Sequence, residues 1–569
     1  VTIPRRTLLS VASVAAVFSF VVLAVMLGYQ ARSPGENPLD SPEWRAVKAE
    51  LGVRRDDPLA AGRVRDQDVE LRRAFFSRRE RLRIGGTLLL IGLAVALAAL
   101  GLANRRSRPA PAAPGPARPA AEYDRRAGRA RRALAATGSL LLAGSAALWI
   151  AGSPALRRPA ETEATGGAAA AVVPPTFEDL ARQWPSFRGP SGSGVAREAD
   201  APRSWNGATG ENIAWKTPIP LPGANSPVVW GDRLFLTGAD AEREEVCCLD
   251  AATGAMLWRK ALVAAGRRAE PPQILEDTGY AAPTAATDGR FVFALFPTGR
   301  IAAFDFAGRQ VWLRSFGPLS NTYGHSSSLA VVPDRVILQI DQGSAGEAIA
   351  RVMALDAATG NTVWETPRSV DSSWASPIVA MTPAGPRILL SATPLAAAYD
   401  PATGAEIWRA DVMSGEVAPS PVHRDGTAFF AQEGAGLFAI GTDGRGDVTK
   451  THVRWSVPDD APDVTSPLCD GDRVYMLTTG GTLTVLRAAT GEILFTHEFE
   501  ASFYASPALS GDALYLTDQS GETTVVRTGD TFEEIGRNSL GEGVYASFAF
   551  GPGRIYLRGA THLFAIGGR

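Results

Sequence analysis

From about residue 205 onward the apolar positions fall in short runs, each long enough for one strand and each stopped by Gly, Asp, Asn or Pro. Runs of this kind separated by turn residues predict β-structure rather than helix. The runs also repeat as one phrase: a Ser-Pro-led apolar strand, an Asp-Gly or Gly-Asp turn, two further strands, then Leu-Asp-Ala-Ala-Thr-Gly and a Trp. Openings fall at Ser226-Pro227, Ala282-Pro283, Ser327-Ser328, Ser376-Pro377, Ser420-Pro421, Ser466-Pro467, Ser506-Pro507 and Ser547-Phe548. The third strand turns into the fourth at Leu249–Gly254, Phe304–Gly308, Leu355–Gly360, Tyr399–Gly404 and, less regularly, Leu486–Gly491. Asp and Thr bond their own backbone there and Gly supplies the positive φ of a tight reversal. The fourth strand carries Trp258, Trp312, Trp364, Trp408, Trp455 and, more weakly, Phe495 and Ile535. Four strand-sized pieces in each period of about 40–55 residues are the mark of a β-propeller.

Eight openings predict an all-β, eight-bladed propeller of four-stranded antiparallel blades over residues 184–569. The last copy, from Ala546 to Ile566, has room for only three strands. Its missing Trp strand is found ahead of the first blade, where the stretch from Asn212 to Ile219 sets Trp215 in the pattern of Leu257-Trp258-Arg259-Lys260. An N-terminal strand paired into the C-terminal blade closes the ring and removes an open sheet edge.

The first third is patterned differently. Thr7–Ala31, Ile84–Asn104 and Ala133–Leu156 contain no charged residue, and at about 1.5 Å of rise per residue a helix of that length crosses a hydrocarbon core. Three transmembrane α-helices, within 1–31, 84–104 and 133–156, are therefore expected before the propeller, with the lipid bilayer as partner. A cleaved signal peptide is the alternative for the first, which follows Arg5-Arg6. Residues 32–83 form a charged loop with helical patterning, 105–132 a basic Pro/Ala-rich linker and 157–183 a flexible linker. The 105–132 linker sets nine arginines against Glu122 and Asp124. Together with the basic N-terminus it is expected on the cytoplasmic side, which puts the propeller outside, on the periplasmic face of a bacterial inner membrane. The arginines just before Ile84 pull the other way and read as a basic helix against anionic headgroups.

A net charge of −2 gives no electrostatic footprint for nucleic acid. Three cysteines, Cys247, Cys248 and Cys469, cannot build a disulfide framework.

From Trp184 onward the chain resembles the pyrroloquinoline-quinone-like propeller superfamily, in its bacterial membrane-anchored branch. The resemblance is carried by Trp184-Pro-Ser-Phe-Arg-Gly-Pro190, the repeated Ala-Ala-Thr-Gly with Trp, Tyr280-Ala-Ala-Pro-Thr284, Gly324-His325-Ser-Ser-Ser328 and Ser373-Trp374-Ala-Ser-Pro377. It implies the fold but not one activity. The superfamily includes dehydrogenases that hold the quinone and a calcium ion on the ring axis, and non-enzymatic assembly propellers of the outer membrane.

The dehydrogenases resemble one another in a vicinal disulfide against the quinone, and Cys247-Cys248 invites the comparison. In this chain the pair falls inside the third strand of the first blade. The residues aligned with Cys248 are Ala303, Ala354, Ala398, Ala439, Val485 and Ala565, a column of small apolar side chains, so a buried structural cysteine is the expectation. Glu416 and Asp463 are carboxylates near the mouth, but neither lies in a motif that matches a calcium or catalytic set. Asp250, Asp305, Asp356 and Asp400 read as turn formers. His423, His452, His497 and His562 are too scattered for a metal. No catalytic, cofactor-binding or metal-binding residue is therefore assigned.

The innermost strands meet the channel, and the position two before each opening reads Ala224, Tyr280, His325, Trp374, Ala418, Val464, Tyr504 and Tyr545. The rings of Tyr280, His325, Trp374, Tyr504 and Tyr545 are expected to plug the channel by mutual packing, to form a docking funnel for a protein or peptide, or to line a cofactor or small-ligand pocket. The preferred function is a non-catalytic, membrane-anchored interaction or assembly module. The alternatives are a quinoprotein dehydrogenase with diverged ligands and an accessory subunit of a membrane complex.

Overall fold

The computed structural model describes residues 173–263, 272, 274–275, 278–458 and 461–568, together with Ser19. The expected membrane spans and the segments between them otherwise lie outside these residues. Among the described residues no helix is long and apolar enough to cross a membrane.

Among the described residues eight sheets follow one another along the chain, each built on four antiparallel strands and numbered here as blades I to VIII. Blade I runs Val228–Trp230, Arg233–Ala239, Glu244–Asp250 and Met256–Ala261, in that spatial order, and the others repeat it. In blade VIII, Ala549–Gly551, Arg554–Arg558 and His562–Ile566 come from the end of the chain. The outermost strand is Ile213–Pro218, antiparallel to His562–Ile566 with Trp215 opposite Ala565. The ring thus closes as the sequence predicts.

Each blade is buried on both faces, which is why its middle strands read as continuous apolar runs. Alternation still decides which neighbour a side chain meets. Phe235, Val246 and Cys248 of blade I pack with Phe293's strand neighbours Val292 and Ala294 and with Phe304 of blade II. Leu234, Leu236, Cys247 and Leu249 pack with Tyr556, Leu563 and Ala565 of blade VIII. All three cysteines are free and buried, and burial pushes the thiols of Cys247 and Cys248 up to about 11 and about 12. Cys248 lies opposite Trp258 in the register, as Ala303 lies opposite Trp312, Ala354 opposite Trp364 and Ala398 opposite Trp408. A small residue in that column leaves room for the indole.

Two devices tie the blades together. At the start of the first strands a belt of hydrogen bonds runs round the ring. The backbone N–H of Ser226 donates to Oγ1 of Thr284, Thr284 to Ser328, Ser328 to Ser376, Ser376 to Ser420, Ser420 to Ser466, Ser466 to Ser506, Ser506 to Ser547, and Ser547 back to Ser226. Every link is 2.9 or 3.0 Å and buried. Net, each such bond is worth about 1 kcal/mol, and an orphaned N–H at this depth costs more. The belt resets the register in two blades: the equivalent positions are Thr284 in blade II, not Ala282, and Ser328 in blade III.

The second device lies at the periphery of the face that carries the Ala-Ala-Thr-Gly reversals. There the Trp312 indole N–H donates to the carbonyl of Ala357 in the next blade's turn, at 2.9 Å, and its ring lies against Gly360. Gly360 has φ 72°, and a Cβ there would sit 2.6 Å from the ring, so turn chemistry and clasp both demand glycine. The same clasp joins Trp215 to Ala251, Trp258 to Phe306, Trp364 to Pro401 and Trp455 to Ala488. The turn aspartates fold these reversals: Asp250 Oδ1 accepts from the N–H groups of Ala252 and Thr253, and Asp305, Asp356 and Asp400 make corresponding bonds.

Three junctions differ. The turn after the third strand of blade V is replaced by a longer loop whose Gly446–Asp447 pairs in parallel with Trp408 and Arg409 as a fifth strand of blade IV, and the Trp408 Nε1 has no hydrogen-bond partner among the described residues. At the next odd junction Phe495 takes the Trp place beside Phe532, on which His497 stacks at 3.6 Å. In blade VII the register sets Gly536, not Ile535, opposite Val525. A Cβ on Gly536 would meet the Arg203 carbonyl at 2.9 Å, because the chain ahead of the closing strand lies there. Asn538 accepts from the Trp205 N–H and donates to the Arg203 carbonyl.

Candidate functional site: two unlike ends of the channel

Residues ahead of Trp184 already pack on the propeller. Thr176 caps a short helix, α1 (Phe177–Ala181), through a reciprocal bond pair with Asp179, and Leu180 is buried among side chains of blades II and III. The Trp184-Pro-Ser-Phe-Arg-Gly-Pro motif follows. Trp184 pairs with Val229 of blade I, the Pro185 carbonyl accepts from Thr287 of blade II, and Gly192 abuts Ile378 of blade IV. Arg188 donates from Nη2 to the Pro467 carbonyl of blade VI at 2.7 Å, and Gly194 and Val195 pair with Leu509 of blade VII. A dozen residues that touch the inner strands of five blades around the ring must cross its axis. The end of the channel on the side of the clasps is stoppered by the chain's own N-terminal segment, a role for the motif that sequence reasoning missed.

The opposite end is built from loops between blades. With the belt as reference, the column two residues upstream reads Ala224, Ala282, Ser326, Trp374, Ala418, Val464, Tyr504 and Tyr545. Trp374, Tyr504 and Tyr545 therefore occupy equivalent places, whereas Tyr280 and His325 lie two and one residues further upstream. Tyr504 and Tyr545, from adjacent junctions, stack with ring centroids 5.6 Å apart, and Tyr545 is 41% exposed. Trp374 is buried. Its indole N–H donates to the Gly324 carbonyl at 3.0 Å and its ring lies 5.1 Å from that of Tyr323. The Tyr280 hydroxyl donates to the Pro272 carbonyl.

His325 is fully buried. Neither ring nitrogen has a hydrogen-bond partner among the described residues, and burial pushes its pKa down to about 4, against a contact with the Ser327 backbone that falls short of hydrogen-bond geometry. The imidazole is thus neutral and positioned by packing.

Carboxylates collect on one side of this mouth. Glu416 accepts from the Tyr323 hydroxyl at 2.9 Å, and Asp463 accepts from the N–H and hydroxyl of Thr479. Glu433 is close to both: partial burial, then the charges of Asp463 and Glu416, raise its pKa. Glu433 was not singled out by the sequence, where it reads as an ordinary loop residue.

Among the described residues no three His, Cys, Asp or Glu side chains gather as ligands for a metal ion. Cys247 and Cys248 point to opposite faces of their strand, away from the mouth. The residues present therefore do not fit a quinone with calcium in the arrangement the resemblance implies.

A closed ring of eight blades, with indole-on-glycine clasps between Ala-Ala-Thr-Gly turns, defines a propeller of pyrroloquinoline-quinone-like repeats. The chain belongs to the family described as outer membrane protein assembly factor BamB, which matches residues 203–374, 348–492 and 451–531 and so more than half of the sequence. No match is found among curated proteins. Solved structures share the fold at low identity. A europium-containing methanol dehydrogenase is 11% identical with a TM-score of 0.51, covering 69% of this chain and 100% of its own. The quinohemoprotein alcohol dehydrogenase of Comamonas testosteroni is 13% identical with a TM-score of 0.52, covering 68% and 81%. BamB of Moraxella catarrhalis is 15% identical with a TM-score of 0.47, covering 62% and 99%.

Proposed function

We propose that this propeller is a non-catalytic docking module, tethered by N-terminal spans to the outer face of a bacterial cytoplasmic membrane, whose loop mouth captures a segment of a partner protein. The observation that carries the reading is the asymmetry of the channel. One end is filled by the chain itself, and the other presents the Tyr504–Tyr545 stack beside the carboxylates Glu416, Glu433 and Asp463. Stacked phenols supply flat, low-entropy contact area, and Glu433, whose charged form partial burial and its acidic neighbours disfavour, gains from an incoming cation. A segment bearing Lys or Arg next to an apolar residue matches both. Membership in a family described as an assembly factor agrees with this, and the Lys/Arg asymmetry of the N-terminal loops supports the side of the membrane.

The test is fluorescence anisotropy of Lys/Arg-bearing peptides against the detergent-solubilised full chain. Tyr545→Ala should weaken binding about tenfold or more, as an aromatic anchor does, at an unchanged unfolding temperature. Glu433→Lys should weaken it further at low salt and little at high salt. Equal affinity for all three proteins would sink the docking reading. Stoichiometric, calcium-dependent retention of pyrroloquinoline quinone by the same protein would favour the dehydrogenase instead.

A further inference from the structure

The stopper is held by the same chain segments that build part of the mouth. Arg188 donates to the Pro467 carbonyl at 2.7 Å, and the mouth carboxylate Asp463 lies only a few residues upstream of Pro467. The Ala196 N–H donates to the Leu509 carbonyl at 2.7 Å and the Leu509 N–H to the Gly194 carbonyl at 2.9 Å, and Tyr504 lies just upstream of Leu509. In each segment a belt residue, Ser466 or Ser506, sits between the mouth end and the stopper end, and the Ser466 N–H donates to the Ser506 hydroxyl. Two side chains that face a docked segment are thus joined to the stopper through a short, hydrogen-bonded length of inner backbone.

The stopper is also under strain where it is held. Arg188 and Ser191 have φ of 59° and 53°, left-handed values that residues with a side chain adopt at a cost. Arg188 Nε and Nη1 and Trp184 Nε1 are buried without a hydrogen-bond partner among the described residues, and an orphaned donor at depth costs more than a single bond gains. Strain and unmet donors bring the withdrawn state of this segment closer in free energy to the seated one, whereas the blades have no such weakness in their ladders. The stopper is therefore an element with two accessible states, in contact with the strands of the mouth.

We propose that the stopper regulates the mouth: docking at Tyr504, Tyr545 and Asp463 and seating of the stopper are positively coupled, an inference that rests on the docking function above. A docked segment fixes the inner backbone of blades VI and VII at the mouth end, so the carbonyls of Pro467 and Leu509 are already in place to hold the stopper. The linkage is reciprocal: drawing the stopper out weakens docking by the factor with which docking holds the stopper in.

Amide hydrogen exchange of the detergent-solubilised full chain measures the coupling from one side, with the tightest of the Lys/Arg-bearing peptides in the anisotropy series as probe. Saturating peptide should slow exchange of the Gly194 and Ala196 amides about fivefold or more, and Tyr545→Ala should remove that protection at the same peptide concentration. Anisotropy measures it from the other side. A Cβ on Gly189 would sit 2.4 Å from the Trp184 ring at φ 69°, so Gly189→Ala unseats the stopper by a clash within the stopper itself and should weaken the peptide by the same factor. Adding Ser191→Gly, which relieves one left-handed residue, should bring back both amide protection and affinity. Peptide that binds the wild-type chain without slowing those amides overturns the coupling and leaves docking standing, whether or not Gly189→Ala folds. Unchanged affinity in Gly189→Ala with its stopper amides exchanging freely overturns it too. Binding of no peptide at all overturns the docking function and the coupling with it.

Discussion

The two faces of the ring obey different rules. On the face of the Ala-Ala-Thr-Gly turns, one solution recurs from blade to blade: aspartate folds the reversal, glycine admits the indole, and the indole N–H reaches a turn carbonyl of the neighbour. On the loop face the junctions diverge. One offers a buried neutral histidine, another an indole tied to a carbonyl, a third an exposed tyrosine stack and a fourth a cluster of acids. What repeats holds blades together, and what does not repeat is free to carry recognition.

That contrast can be broken at several points. Deleting residues 205–220 removes the outer strand of blade VIII and exposes the edge of His562–Ile566. An insoluble or open ring is expected in sedimentation and scattering, and a compact, equally stable product would mean closure is not structural. On the loop face, His325 makes stability depend on pH. The folded imidazole stays neutral down to about pH 4 while the unfolded chain takes up its proton near 6.5. Its contribution is therefore complete above pH 6.5 and is lost as pH falls towards 4, by roughly 3 kcal/mol. Urea midpoints of His325→Phe should lose that part of the acid slope, and an unchanged slope would place the titration elsewhere. Smallest but sharpest is a pair of conservative changes. Trp312→Phe orphans the Ala357 carbonyl and should cost about 1–2 kcal/mol more than Trp408→Phe, whose indole N–H has no bond to lose among the described residues. Equal costs would show that packing, not the clasp bond, fastens the blades.

The repeating half of this design was legible in the sequence because it is written several times. The Asp-to-Gly reversals, the small-residue column that holds Cys248 and the split blade VIII with Trp215 each follow from aligning copies, and the structure bears them out. The register slipped in blades II and III because Ala282-Pro283 and Ser327-Ser328 mimic the Ser-Pro opening. Only the hydrogen bonds, which select Thr284 and Ser328, separate the true position from its neighbour. Ile535 was misplaced for a related reason: the fourth strand bulges, and the space of a Trp is filled from outside the repeat by Arg203 and Trp205. The stopper was unreadable as such, since Trp184 to Pro190 occurs once and its contacts lie scattered over five blades. The gathering of Glu433 with Glu416 and Asp463 likewise depends on loops brought side by side only by ring closure.

The route of the chain into the ring has a mechanical consequence. Between residues 177 and 218 it passes first through α1, then through the stopper, then along blade VII, and only then into the latch strand of blade VIII. A pull arriving from the N-terminal side is borne in series by these attachments. The stopper must be drawn out of the channel before any tension reaches the strand that keeps the circle shut, so the fastening that matters most is the last to feel the load.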